Sequence, residues 1–172
     1  MGVQMDLWLD RLASPIGTLL LIWQGETLRA LDFGDKEARF ERLLRVHYGA
    51  ARPEPARAPA SIRDPIEAYF QGELTAIDGV PVETNGTPFQ QQVWKALREI
   101  PAGHTTSYGA LAARIGRAGA SRAVGLANGS NPVGLVVPCH RVIGANGTLT
   151  GYGGGIDRKR WLLDHEQALT HF

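Results

Sequence analysis

With 172 residues, 44% of them hydrophobic and 20% charged, the chain has enough apolar material for one domain or two small ones. Its single cysteine excludes an internal disulfide and a multi-cysteine metal site, and no apolar run approaches the roughly 20 residues needed to span a bilayer. The net charge of +1 conceals two unlike parts: up to Thr87 there are 9 Lys/Arg against 13 Asp/Glu, and from Pro88 onward 9 against 4. The basic part, which also holds the cysteine, is expected either to meet a polyanion or to present an ordinary solvated basic surface. Met1 to Asp6 shows no basic region followed by an apolar stretch, and a lone thiol suits a reducing compartment, so a cytoplasmic location without membrane attachment is expected.

In chain order, the patterns predict strands over Leu7 to Leu12 and Thr18 to Gln24, joined through Ser14-Pro15-Ile16-Gly17, and a third around Leu28 to Phe33. They make a small antiparallel sheet. Apolar positions at helical spacing follow in Glu37 to His47 and Ile62 to Phe70, separated by the proline-rich loop Arg52 to Pro59. Glu73 to Gly86 reads as a connector, so the expected domains are 1–86 and 87–172. Thr87 and Gln90 then form a capping box with Pro88 at the first helical position, and Phe89, Val93, Leu97 and Ile100 line the packing face until Pro101. Two short helices, Ser107 to Ile115 and Ser121 to about Gly129, flank the turn Gly116 to Gly119 at helix-turn-helix spacing. Beyond them, Leu135-Val136-Val137 reads as a buried strand that stops at Pro138.

In the second of the two helices, Ala120, Val124 and Ala127 form the inward stripe, leaving Arg122, Gly125 and Gly129 on another face. Glycine inside a helix costs about 1 kcal/mol relative to alanine, so it asks for tight packing within the protein or for close approach by a ligand. A face with one arginine is poorly equipped to read base edges in the major groove. A nearly bare helix could instead press into the minor groove, about 6 Å wide, with one long residue as a wedge in the base stack.

Cys139 follows a proline where the chain is expected to turn toward a site; catalysis and plain packing both remain open for it. An activated thiol needs a base and a group that orients the base. His140 is the adjacent base, expected to act through a bridging water, because neighbouring side chains on a strand face opposite ways. Glu166 shares a helix face with Leu162 and is the best orienting carboxylate of the basic part, although on its own it reads as a surface residue. Gly151-Tyr152-Gly153-Gly154-Gly155 has neither P-loop nor G-x-G-x-x-G spacing, so no nucleotide or methyl-donor cofactor is expected; a flat ligand stacked by Tyr152 suits it better.

Together, Pro138-Cys139-His140-Arg141-Val142-Ile143, Asn128-Gly129-Ser130-Asn131-Pro132, Ser121-Arg122-Ala123-Val124-Gly125, Gly151 to Gly155 and Trp161-Leu162-Leu163-Asp164-His165-Glu166 resemble the methylated-DNA-protein-cysteine methyltransferases, also called 6-O-alkylguanine-DNA alkyltransferases. The likeness runs from Thr87 to about Glu166, with a weaker echo at Ser14 to Gly17. It implies an α+β protein: an N-terminal ribonuclease-H-like sheet with helices, then a mainly helical, winged helix-turn-helix domain carrying DNA binding and alkyl transfer. It implies a single-turnover repair protein acting on duplex DNA with alkylated guanine, and less well on 4-O-alkylthymine, as a monomer without metal or cofactor.

By this resemblance Cys139 takes the alkyl group as a thioether, His140 is its base through a water, Glu166 orients the histidine, and Asn131 shapes the active-site turn. Arg122 fills the space left by the flipped base, Tyr108 pushes on the adjacent phosphate, Ser121 touches a phosphate or caps its helix, and Gly125 lies on the bare face. Tyr152, the amide of Gly153 and the backbone at Val142 border the guanine pocket. The lone cysteine departs from the zinc-bearing adaptive-response type and resembles the shorter constitutive bacterial form. A cysteine hydrolase and a non-catalytic DNA-binding module are the rival readings.

Overall fold

The structure is a computed structural model that describes residues 6–49, 52–167 and 170–171; Met1 to Met5, read above for a leader pattern, lie outside them. It forms two compact units, Met1–Asn85 and Gly86–Phe172.

The first unit is built on the strands β1 (Trp8–Leu12), β2 (Leu19–Gln24), β3 (Thr27–Phe33) and the short β4 (Glu54–Pro55), in the order β3-β2-β1-β4. The three long strands are antiparallel, with Leu12 opposite Leu19 and Leu19 opposite Phe33; only the two-residue edge strand β4 runs parallel to β1. Gly17 (φ 109°) and Gly25 (φ 58°) stand at the two turns, in the left-handed region where a side chain is strained. Leu19 to Ile22 are all buried, so both faces of β2 are covered. On one of them α1 (Glu37–Tyr48) lays Phe40 and Tyr48 against Leu20, Ile22 and Ala30. The helix α2 (Ala60–Phe70) buries Ile62, Ile66 and Tyr69. The three long strands and two helices each lie within two residues of their predicted limits, while β4 falls within the segment expected as the proline-rich loop Arg52 to Pro59.

The second unit opens with α3 (Pro88–Arg98), whose capping box is complete: the Gln90 amide donates to Thr87 Oγ1 at 3.1 Å and the Thr87 amide to Gln90 Oε1 at 3.0 Å. Val93, Ala96, Leu97 and Ile100 are buried beneath it, and Trp94 Nε1 donates to the carbonyl of Ala127 at 2.8 Å. That bond ties α3 to α5 (Ser121–Gly129), the second helix of the helix-turn-helix. The first, α4 (Tyr108–Arg114), is capped by Ser107 Oγ, which accepts from the Ala110 amide at 3.1 Å. The turn between them uses Gly116 and Gly119 at φ 77° and 88°.

A small parallel sheet completes the unit. β5 (His104–Ser107) lies between β6 (Val142–Ile143) and β7 (Thr170–His171), with Thr106 opposite Val142 and Ser107 opposite Ile143. This pairing sets the segment just before β6, which contains Cys139, beside the start of α4. The last helix, α6 (Ile156–His165), begins at Gly155 (φ 100°) and packs on the Cys139 segment.

One expected element is replaced. Leu135-Val136-Val137 is a turn, with Leu135 in the left-handed region at φ 71° and Val137 bonded back to the carbonyl of Val133 at 3.0 Å. An apolar run does not distinguish a buried strand from a buried turn, and here the amides of Val136 and Val137 are satisfied locally, on the carbonyls of Gly134 and Val133.

Candidate active site

Cys139 opens a single 3₁₀ turn, Cys139–Arg141, closed by the Arg141 amide on the carbonyl of Pro138 at 3.0 Å. The backbone therefore does turn at the Cys139-His140 pair, which removes the strand geometry that would have pointed the two side chains apart. Asn131 braces this turn from beneath: its Nδ2 donates to the carbonyl of Val137 at 2.9 Å, and its Oδ1 accepts from the Val133 amide at 3.0 Å. Both amide functions are used, so the side chain bridges the two ends of the Val133 to Val137 segment.

His140 and Glu166 are both buried, and His140 Nε2 lies 2.8 Å from Glu166 Oε2. Glu166, which taken alone reads as a surface residue and which the resemblance assigns to orienting His140, is 2% exposed. It can be buried because Arg141 accompanies it: Nε donates to Oε1 at 2.8 Å, Nη2 to Oε2 at 3.0 Å, and Nη1 to the carbonyl of Ile100 at 2.7 Å. A bidentate guanidinium supplies the compensation that a buried carboxylate requires. Arg141 had no assigned role from the sequence beyond its place in the cysteine motif; the proximity of a buried acid was the missing signal.

Burial pushes the Glu166 carboxyl up, but its hydrogen bonds and charge interactions with His140 and Arg141 outweigh that and hold it below the usual carboxylate range. His140 moves down from 6.5, because loss of water outweighs the attraction of Glu166. The consistent state is anionic Glu166 beside neutral His140, with Arg141 supplying the balancing charge. Neutral imidazole facing a carboxylate carries its proton on Nε2, which leaves Nδ1 as a lone-pair acceptor. Nδ1 is buried and has no hydrogen-bond partner among the described residues.

Lys159, on α6, is a second cation absent from the sequence expectations. It is fully buried, and Nζ donates to the carbonyl of Val142 at 2.6 Å and to that of Thr150 at 3.1 Å. Burial lowers its pKa to about 8, against an opposing attraction to Cys139. Thr150 also meets the hydroxyl of Tyr108, 2.7 Å away, so the first residue of α4 is linked through Thr150 to Lys159. Tyr152 is half-buried and stands edge-on to the His140 ring at 6.4 Å between centroids; Gly153 is exposed and Val142 buried.

Arg122 and Ser121 are exposed at the start of α5, while Val124, Ala127 and Asn128 turn inward. Gly125 is half-buried beside Tyr108: a Cβ there would stand 3.7 Å from the ring, an ordinary contact, and a Cβ on Gly129 would meet nothing within 4 Å. Packing within the unit therefore does not require either glycine. The exposed face is less bare than expected, however, because Leu126 is 73% exposed on it. Among the described residues no group of three or more His, Cys, Asp or Glu is placed to hold a metal ion, and no helix is long and apolar enough to cross a membrane.

Comparison with known proteins gives one answer. Family models described as the DNA-binding domain and the ribonuclease-like domain of 6-O-methylguanine DNA methyltransferase match residues 88–168 and 11–84. The methylated-DNA–protein-cysteine methyltransferase of Salmonella typhimurium is 50% identical over 163 residues, 93% of this chain and 95% of that protein. The Mycobacterium tuberculosis protein of the same name is 51% identical over 159 residues, 90% and 89% of the two chains. Among solved structures, the M. tuberculosis O6-methylguanine methyltransferase superposes with a TM-score of 0.80 at 47% identity, covering 94% of this chain and 93% of that one. The M. tuberculosis OGT in complex with DNA gives 0.79 at 48%, covering 92% and 91%. With both parts of the chain matched and half of its residues shared across nearly its whole length, this protein belongs to the methylated-DNA–protein-cysteine methyltransferase family.

Proposed function

We propose that this protein repairs DNA by moving an alkyl group from oxygen-6 of a flipped guanine to Cys139, once per molecule. The sulfur attacks the alkyl carbon, the carbon–oxygen bond breaks with its electron pair going to the guanine, and the base takes up a proton to become ordinary guanine. The thiol proton leaves through a water to His140 Nδ1. The observation that carries this reading is the buried, unpartnered Nδ1 of a neutral histidine one residue from the only thiol, with Nε2 held on Glu166. Lys159 favours the thiolate through its charge and holds the Val142 carbonyl at the edge of the guanine pocket, where Tyr152 and the Gly153 amide form further walls.

The partner is duplex DNA containing alkylated guanine, met through the second unit while the first is structural. Glycines on α5 that internal packing does not require support the approach of this helix to the minor groove. Arg122 enters the stack in place of the flipped base, Tyr108 and Ser121 contact phosphates, and extrusion costs a few kcal/mol, least at a damaged pair. The protein acts as a cytoplasmic monomer, with 4-O-alkylthymine as a poorer substrate.

Intact-mass measurement with peptide mapping tests this. After mixing with a duplex carrying one 6-O-methylguanine, Cys139 should gain a single methylene, at most once per molecule. The variant Cys139→Ala should keep duplex binding and gain no mass. An unchanged mass in the native protein, with tight duplex binding, would instead favour a non-catalytic lesion-binding module.

A further inference from the structure

The outermost ridge of α5 is formed by Arg122, Leu126 and Gly129, since Val124, Ala127 and Asn128 occupy the opposite, inward side. Leu126 follows Arg122 by one turn, is 73% exposed, and is the one exposed large apolar side chain of a helix whose other exposed positions are Ser121, Arg122, Ala123 and Gly129. A single exposed leucine is ordinary on a protein surface. Two features set this one apart: it lies in line with the exposed arginine on a helix flanked by glycine, and that helix belongs to the unit with an excess of Lys/Arg, 9 against 4 Asp/Glu.

Resting on the reading that α5 enters the minor groove, we infer that Leu126 is a second DNA-contact residue, which buries its side chain against the deoxyribose edges of the groove wall one turn beyond the Arg122 insertion. The walls of the minor groove are sugar C–H surfaces, and they suit an aliphatic side chain that needs no hydrogen bonds. Arg122 adds charge and insertion; Leu126 adds apolar contact. The two contributions differ in salt dependence, because only charge neutralisation releases counterions. The leucine thus gives the protein a component of duplex affinity that persists as salt rises.

A rival role for Leu126 is helix propensity, since leucine could support a helix that contains two glycines. Leu126→Ala separates the two, because alanine is the better helix former and leaves an exposed site without a cavity. The test measures binding to an unmodified duplex as a function of salt for the native protein, Leu126→Ala, Leu126→Met and Arg122→Ala, together with Tm. Leu126→Ala should weaken binding roughly tenfold at every salt concentration, with the slope of log affinity against log salt and the Tm unchanged. Leu126→Met should restore most of the affinity, and Arg122→Ala should lower the slope. Unchanged affinity in Leu126→Ala, or a loss that is matched by a lower Tm, would overturn the inference. If Arg122→Ala also left binding and methyl transfer untouched, the placement of α5 in the groove would itself be wrong; a defect in Arg122→Ala alone would remove only the role given to Leu126.

Discussion

Arg141 embraces Glu166 with two nitrogens, Nε at 2.8 Å and Nη2 at 3.0 Å, while both residues are almost entirely shielded from water. This pair lets a carboxylate sit beneath the active-site turn and hold His140. Removing one member of a buried pair leaves the other charge uncompensated, which typically costs about 3–5 kcal/mol. Arg141→Met should therefore lower stability by that order in denaturant titration. Arg141→Lys should rescue only part of it, because an ammonium cannot reproduce the planar two-point contact.

Glu166→Gln keeps the shape but changes the histidine. The neutral amide removes the charge that stabilises the imidazolium formed once Nδ1 takes a proton. Single-turnover methyl transfer should slow about 10- to 100-fold, while duplex binding stays the same. Equal transfer rates in a quench-flow comparison would show that His140 Nδ1 is not the base.

The glycines of α5 should show opposite effects on stability and binding. Gly125→Ala places its methyl group at ordinary contact distance from Tyr108, so the protein should gain about 0.5–1 kcal/mol in thermal unfolding. The same methyl group should weaken duplex binding. A stabilised variant with native affinity would mean that no DNA surface approaches this position.

Asn131 uses its amide nitrogen on the Val137 carbonyl and its amide oxygen on the Val133 amide. Asn131→Ala removes the partner of the Val133 amide in a buried turn and leaves the Val137 carbonyl with the Cys139 amide alone, at a cost of about 1–3 kcal/mol. Unfolding should shift accordingly, and faster hydrogen exchange should be localised at Val133 to Cys139.

Two groups of the site give the stability of the protein a pH dependence near and above neutrality. His140 is depressed below 6.5, so the unfolded chain binds more protons there, and the stabilisation present above pH 6.5 is lost as pH falls through the folded value. Lys159 sits at about 8 rather than 10.5. The unfolded chain again binds more protons between these values, so stability rises with pH from about 8 to 10.5. Lys159→Met should flatten the upper part of the Tm profile and leave the fall below pH 6.5 in place.

The chain itself announced the elements whose signals are local. The capping box at Thr87 and Gln90, the glycine turn at Gly116 and Gly119, and the packing stripe of Val124 and Ala127 are each contained within about three turns of helix. Those patterns reflect hydrogen bonds and periodicity between near neighbours, so the limits of α5 and the strands of the first unit follow from them. Leu126 lies on the same spacing, in a pattern that the glycines around it dominate. Leu135 to Val137 was not legible, because a buried apolar run carries no sign of whether it is extended or turned.

What the sequence alone determined is therefore the order of elements and the set of residue types that chemistry could use: one thiol, an adjacent imidazole and a later carboxylate. Tertiary structure decided which of them meet and in what charge state. His140 and Glu166 are 26 positions apart, and Arg141 reaches the carbonyl of Ile100 across 41. Their contact depends on the parallel pairing of β5 with β6 and on α6 closing over the turn, neither of which a local pattern encodes. Burial of Arg141, Lys159 and Glu166 has the same origin: a charged side chain enters the core only where partners from distant segments already wait for it, and only the folded chain brings them there.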